Sequence, residues 1–148
     1  MQDTAAGNSA NPHGAGPSAP RTIIVADDEN HIRAIVAAKI RSAGHTVLEA
    51  RDGEEALELA SQTPPDLIVT DLQMPFMSGL EMALHLKADP RFSSTPLLML
   101  TARGHILDQE VLAQTNIVMT MAKPFGAREL LRCVESILNG EPQIREAA

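Results

Sequence analysis

The sequence predicts an α/β protein, a doubly wound parallel sheet of five strands with five helices. Two observations carry this. Short apolar, β-branched runs alternate with amphipathic helical segments five times between Thr22 and Leu138. Strict alternation of this kind builds a parallel sheet with right-handed crossovers and helices on both faces. In addition, the runs around Ile24, Val69 and Leu98 are apolar throughout, as central strands covered on both faces are.

The elements follow in order. Thr22-Ile23-Ile24-Val25-Ala26 is the first strand. His31 to Ser42 reads as a helix, with Ile32, Ile35, Val36 and Ile40 on its apolar stripe and Gly44 as its stop. Thr46 to Ala50 is the second strand. Asp52-Gly53 turns the chain into a helix over Glu54 to Ser61 that buries Ala56, Leu57 and Leu59 or Ala60. Pro64-Pro65 and Pro75 punctuate the third strand, Leu67 to Asp71. Ser78, with Glu81 three residues on, forms a capping box for a helix over Gly79 to Ala88, whose apolar side is Leu80, Ala83, Leu84 and Leu86. Leu97 to Thr101 is the fourth strand, Ile106 to Gln114 a weaker helix, and Ile117 to Met121 the fifth strand. The last helix runs from about Gly126 to Leu138, with Leu130, Val134 and Ile137 inward. Residues 1–20 are poor in apolar surface and read as a flexible tail, 21–140 as one folded domain, and 141–148 as a short C-terminal tail.

Composition narrows the function. Aromatics make up 2% of 148 residues, with no Trp or Tyr, so Leu, Ile, Val, Ala and Met must build the core. The net charge of −7 argues against binding a phosphate backbone, which needs clustered Lys and Arg. One cysteine, Cys133, excludes an intrachain disulfide framework and multi-cysteine zinc sites. No apolar run approaches the roughly 20 residues that span a bilayer, and no signal-peptide pattern opens the chain. The expected setting is the cytoplasm, with no membrane and no nucleic acid as partner. His31, His45, His85 and His105 are scattered and read as surface or partly buried residues rather than metal ligands. Cys133 reads as a small packed apolar residue.

The chemistry lies at strand ends. Asp27 and Asp28 end the first strand, Asp71 the third, Thr101 the fourth and Lys123 the fifth. Each has an ordinary reading alone: a strand-end turn former, a helix N-cap, an exposed lysine. Together they place three carboxylates, a hydroxyl and an ammonium on the carboxyl edge of the sheet, where open α/β folds bind ligands. Clustered carboxylates repel unless a cation neutralises them. Hard oxygen ligands suit Mg²⁺, and a carboxylate beside Mg²⁺ and a lysine is suited to attack a phosphoryl group.

These residues, Asp27-Asp28, Asp71 with Met74-Pro75 and Gly79, Thr101-Ala102, and Lys123-Pro124-Phe125, resemble the receiver domain of two-component response regulators, in its stand-alone, CheY-like form. The resemblance covers about Thr22 to Leu138. It implies a flavodoxin-like sheet of strand order 2-1-3-4-5 and a cis Lys123-Pro124 bond. It implies that Asp71 accepts phosphate from a histidine kinase or histidine phosphotransfer protein. Mg²⁺ would be held by Asp28 and Asp71, by Asp27 often through water, and by the backbone carbonyl of Gln73. Thr101 would hydrogen-bond a phosphate oxygen and Lys123 would pair with the phosphate. The protein would then be a phosphoprotein switch rather than an enzyme in its own right, monomeric or weakly dimeric. Phosphorylation would shift the face formed by residues 106–138 to bind a partner, or the phosphate would be passed on along a relay; Leu131 and Leu138 are candidate partner contacts or peripheral packing.

The sequence departs from the family at Thr120, where an aromatic commonly precedes the lysine by three residues, and at Leu112 to Asn116, which lack the usual Gly-Ala turn. Gln73 is a candidate for tuning phosphate lifetime. Arg103, two residues after Thr101, either steers the phosphodonor or is a solvated side chain. The rival reading is a pseudo-receiver that binds partners without phosphorylation. An aspartyl-nucleophile phosphatase of the haloacid dehalogenase type would want a second Asp where Gln73 stands. A nucleotide-binding flavodoxin-like protein would want a Gly-rich loop where Asp27-Asp28-Glu29 stand.

Overall fold

The computed structural model describes residues 19–140 and the backbone of 146–147; the expected tails fall mostly outside these residues. The strands are β1 (Thr22–Ala26), β2 (Thr46–Ala50), β3 (Leu67–Asp71), β4 (Leu97–Thr101), β5 (Ile117–Ala122) and a two-residue β6 (Glu146–Ala147). The helices are α1 (Asn30–Ser42), α2 (Gly53–Gln62), α3 (Gly79–Ala88), α4 (Gln109–Leu112) and α5 (Ala127–Leu138). The sheet order is β2-β1-β3-β4-β5-β6 and every pairing is parallel. The order 2-1-3-4-5 is therefore observed. The sixth strand is an addition to the five expected. Residues 146–147, read in sequence as tail, pair with Thr120 and Met121 on the outer edge of β5.

Successive strand residues point to opposite faces, and this splits the core in two. Ile23, Val25, Val69, Leu98, Leu100, Met119 and Met121 pack under α1 and α5, against Val36, Ile40, Leu130, Val134 and Ile137. Ile24, Ala26, Ile68, Leu97 and Met99 pack on the other face against Ala56, Ala60, Met82, Leu86 and Phe92. Every residue of β3 and β4 is buried, as double coverage requires. Phe92 is in the core, whereas Phe76 is 92% exposed and has a left-handed backbone, φ +69°.

Caps place the helices. Asp52 accepts from the Glu55 amide at the head of α2, and Ser78 and Glu81 form the full capping box of α3. Lys39 and Arg41 sit in the last turn of α1, where they complement the helix dipole.

Several expectations need correction. Ile35 is 45% exposed, and Val36, Ala37 and Ile40 are the buried face of α1. Leu84 is 40% exposed, and Met82 takes its expected place in the core. Leu138 is buried and Leu131 packs partly buried against the core, so both are peripheral packing. The helix expected over 106–114 is a single turn, Gln109–Leu112, with Leu112 its only buried residue. A helix is held mainly by an apolar stripe, and here it is short: Leu112 is buried and Leu107 packs partly buried against the core, while Ile106 is 83% exposed and the preceding Gly104 is left-handed at φ +84°.

Gly79 is the tightest joint between fold and site. Its amide donates to the Leu72 carbonyl at 2.7 Å, and a Cβ added there would lie 2.3 Å from the Asp71 carbonyl oxygen. Backbone cannot yield as a side-chain tip can. Gly79→Ala is therefore expected to lower unfolding free energy by about 1–3 kcal/mol, measured by urea denaturation.

Candidate functional site

Parallel pairing aligns the strand ends. Asp71 lies opposite Leu100 in the register, and Thr101 opposite Ala122. The Lys123 amide then donates to the Thr101 carbonyl at 2.8 Å, and the Lys123-Pro124 bond is cis, as the resemblance implied.

At the end of β1, Asp27 is held on several sides. Its amide donates to the Ala50 carbonyl at 3.1 Å, and its Oδ1 accepts from the Glu29 amide at 2.9 Å. Glu29, rather than Asp28, is the N-cap of α1, and its side chain makes no capping bond. Asp28 is thus left exposed beside the groove.

One ammonium joins these elements. Lys123 Nζ lies 2.8 Å from Asp71 Oδ1, 3.5 Å from Asp27 Oδ2 and 4.0 Å from Glu29 Oε1. Asp27, Asp28 and Asp71 each offer a carboxylate oxygen within 4.8 Å of the others. A groove of ≈330 Å³ opens over them, lined by Asp28, Glu29, Asp71, Leu72, Gln73, Ala102 and Lys123. Asp27, Asp28, Asp71, Thr101, Gln73 and Lys123 therefore come to one edge. Glu29, a fourth carboxylate in reach of Lys123, was not singled out in the sequence; its place beside the acidic pair was the available signal.

The electrostatics are those of a site prepared for charge. Burial pushes the Asp27 carboxyl above its usual range; the charges of Asp71 and Asp28 push it further, against the Glu29 amide and Lys123. For Lys123, burial favours the neutral amine, but the hydrogen bond to Asp71 and the charges of Asp27, Asp71 and Glu29 outweigh it and raise its pKa. Among the described residues, two buried side-chain polar atoms, Asp27 Oδ2 and Thr101 Oγ1, have no hydrogen-bond partner. Oδ2 still faces the Lys123 ammonium at 3.5 Å, whereas leaving a buried hydroxyl such as Thr101 Oγ1 unpaired costs about 1–3 kcal/mol. A carboxylate oxygen and a hydroxyl left so at one sheet edge fit a cation and an anionic oxygen, respectively, and the three carboxylates form a hard donor set that could hold a metal ion.

A response regulator receiver domain family model matches residues 23–135. The chain belongs to this family. Among curated relatives, the DNA-binding dual master transcriptional regulator RpaA of Synechocystis sp. is 36% identical over 129 residues, covering 87% of this chain and 53% of that protein. The phosphate regulon transcriptional regulatory protein PhoB of Pseudomonas aeruginosa is 37% identical, covering 80% of this chain and 52% of that protein. The chain spans about half the length of the curated relatives it matches. Among solved structures, the chemotaxis response regulator CheY4 of Vibrio cholerae superposes with a TM-score of 0.74 at 29% identity, covering 80% of this receiver and 98% of that chain. A Francisella response regulator receiver domain does so with a TM-score of 0.71 at 30% identity, covering 82% of this receiver and 98% of that chain. Response regulators of this family belong to two-component systems; phosphorylation and Mg²⁺ are typical of it.

Outside the site, His45 departs from expectation. It is buried, with Nε2 2.7 Å from Glu135 Oε2 and Nδ1 accepting from the Arg21 amide. It ties the start of β2 to α5 at the end of the sheet away from the carboxylates. His31, His85 and His105 are exposed, Cys133 is buried, and the one cluster of potential metal ligands among the described residues is the aspartate trio. No helix among the described residues is long and apolar enough to cross a membrane.

The raised pKa of Asp27 has a definite sign. Between the ordinary aspartate range and its own pKa, the folded state holds a proton that the unfolded state has released, so stability falls as pH rises through that window. In the presence of a chelator, Asp27→Asn is expected to melt with the parent below the aspartate range and at a higher temperature at neutral pH. Added Mg²⁺ is expected to close that gap by stabilising the parent alone; thermal melts across pH read both effects.

Proposed function

We propose that this receiver is a phosphorylatable switch in which Asp71 takes a phosphoryl group from a phosphohistidine donor, a histidine kinase or a histidine phosphotransfer protein. The observation that carries the reading is the buried Asp71 carboxylate, paired with Lys123 at 2.8 Å and clustered with Asp27 and Asp28. The Asp71 carboxylate attacks phosphorus, a P–O bond forms as the donor's P–N bond breaks, and the imidazole leaves with the electron pair. Lys123 holds the Asp71 carboxylate and then the phosphoryl oxygens. The unpartnered Thr101 hydroxyl donates to one of those oxygens. Bound at Asp27, Asp28, Asp71 and the Gln73 carbonyl, Mg²⁺ would neutralise the carboxylates and the incoming phosphoryl oxygens. The receiver catalyses its own modification and acts as a switch, not as an enzyme on other substrates.

The added charge and acceptor oxygens draw on Thr101 and Lys123 and bias the face formed by residues 106–138 toward a partner-binding state. The net charge of −7 favours a protein over nucleic acid as that partner, and the single cysteine is in keeping with a reducing, cytoplasmic setting. The exposed Gln73, in the groove's lining, tunes access to the acyl phosphate. One observation favours the second reading, a constitutive interaction module: Thr120 occupies the place where the family commonly carries an aromatic.

Intact-mass measurement after incubation with Mg²⁺ and acetyl phosphate tests the proposal. The parent is expected to gain one hydroxylamine-sensitive phosphoryl group and Asp71→Asn none. A parent that binds Mg²⁺ but gains no adduct would leave the constitutive module standing. Truncation at Gln73 opens the groove to water, so the adduct on Gln73→Ala is expected to decay several-fold faster than on the parent, followed by the same mass assay.

A further inference from the structure

Behind the aspartates, on the side away from the groove, α1 carries two arginines whose contacts converge. Arg33 Nη1 donates to the Asp27 carbonyl at 2.8 Å and its Nε to Glu49 Oε1 at 3.1 Å. Arg41 Nη1 takes the other oxygen of Glu49 at 3.1 Å and its Nη2 the Val47 carbonyl at 2.9 Å. Glu49 is in β2, so one carboxylate gripped by two guanidiniums locks α1 to the strand beside β1. The Arg33 side chain is only 13% exposed, which makes its hydrogen bonds costly to lose.

With this bond, every backbone polar group of Asp27 is tied. Its amide is on the Ala50 carbonyl, its carbonyl is on Arg33, and its Oδ1 is on the Glu29 amide. The remaining atom, Oδ2, is buried without a hydrogen-bond partner and faces the Lys123 ammonium at 3.5 Å. A residue fixed on three sides presents its fourth polar atom in a fixed direction. We propose that Arg33 is a positioning residue for the acidic cluster: by bridging the Asp27 carbonyl and Glu49, it holds the end of β1 so that Asp27 and Asp28 are pre-arranged for a divalent cation. This rests on the metal-assisted reading above and adds a residue to it. The guanidinium is suited to the task because its planar fork serves two acceptors on two strands at once, which a lysine ammonium on a flexible stem does not reproduce.

The charge of Arg33 makes the idea separable from simple electrostatics. A cation near three carboxylates disfavours a second cation, so on charge alone Arg33→Met would bind Mg²⁺ more tightly. Positioning predicts the opposite. Calorimetric titration with MgCl₂, with amide NMR shifts at Asp27 and Asp28 as a second readout, decides between them; the chain has no Trp or Tyr to report by fluorescence. The dissociation constant is expected to rise on the order of ten-fold in both Arg33→Met and Arg33→Lys, as for other groups that support metal ligands. Circular dichroism melts identify which variants are folded. A folded Arg33→Met that binds Mg²⁺ as tightly as the parent, or more tightly, overturns the proposal. Should Arg33→Met not fold, unchanged affinity in Arg33→Lys overturns it by itself. A parent that takes up no Mg²⁺ removes the metal-assisted reading and this inference with it, whereas a binding parent with unaffected variants removes this inference alone.

Discussion

Three carboxylates, Asp27, Asp28 and Asp71, stand within 4.8 Å of one another at the edge of the sheet, and one ammonium pairs with two of them, Asp71 and Asp27. Like charges at such spacing repel strongly in a partly buried setting, and burial of Asp27 adds a desolvation penalty. Lys123 offsets part of this by facing Asp71, Asp27 and Glu29 at once. The arrangement is sustained by the core beneath it, where β3 and β4 are buried along their whole length. Stability of the scaffold is what permits an unfavourable charge cluster to persist, and the cluster is what would make a cation a favourable ligand.

The scaffold converts sequence-distant residues into neighbours by topology alone. Parallel strands all end at the same edge, so Asp27, Asp71, Thr101 and Lys123, each just at or after a strand, must meet wherever the central strands adjoin. Fine placement then depends on short-range devices. Gly79 lets α3 begin directly on the Asp71 carbonyl. The Lys123 amide on the Thr101 carbonyl sets how far the lysine reaches. On the far side of β1, the Arg33–Glu49 pair ties the strand end to α1 and β2.

The face over β5 is built differently from the rest. One helical turn stands where a longer helix was expected, Ile106 is exposed, and Thr120 is a small, partly exposed residue in β5. The backbone of residues 146–147 lies along the outer edge of β5, which covers hydrogen-bonding groups that an edge strand otherwise presents. The α4 turn itself has one buried residue, Leu112, compared with Met82, Ala83 and Leu86 on α3, and local stability follows such anchors.

Much of this was legible in the sequence because the signals were local. Strand runs, the capping box at Ser78 and the polar residues at the strand ends are read within a few residues, so the elements and the candidate site residues followed from local pattern, while strand order came from the family resemblance. The single turn of α4 was not legible: residues 106–114 have helix-compatible composition, but only Leu112 is buried and Leu107 partly so, too narrow a face to hold a longer helix. The exposure of Ile35 and the burial of His45 were hidden for the same reason, because which side of a helix or loop meets the core is settled by distant partners such as Glu135. Nor could spacing reveal that Arg33 reaches both Asp27 and Glu49, since that contact joins three elements. The sequence by itself determined which residues stand at strand ends and what chemistry they carry. Tertiary structure decided which polar atoms are left unpaired, because that depends on what every neighbouring element has already satisfied.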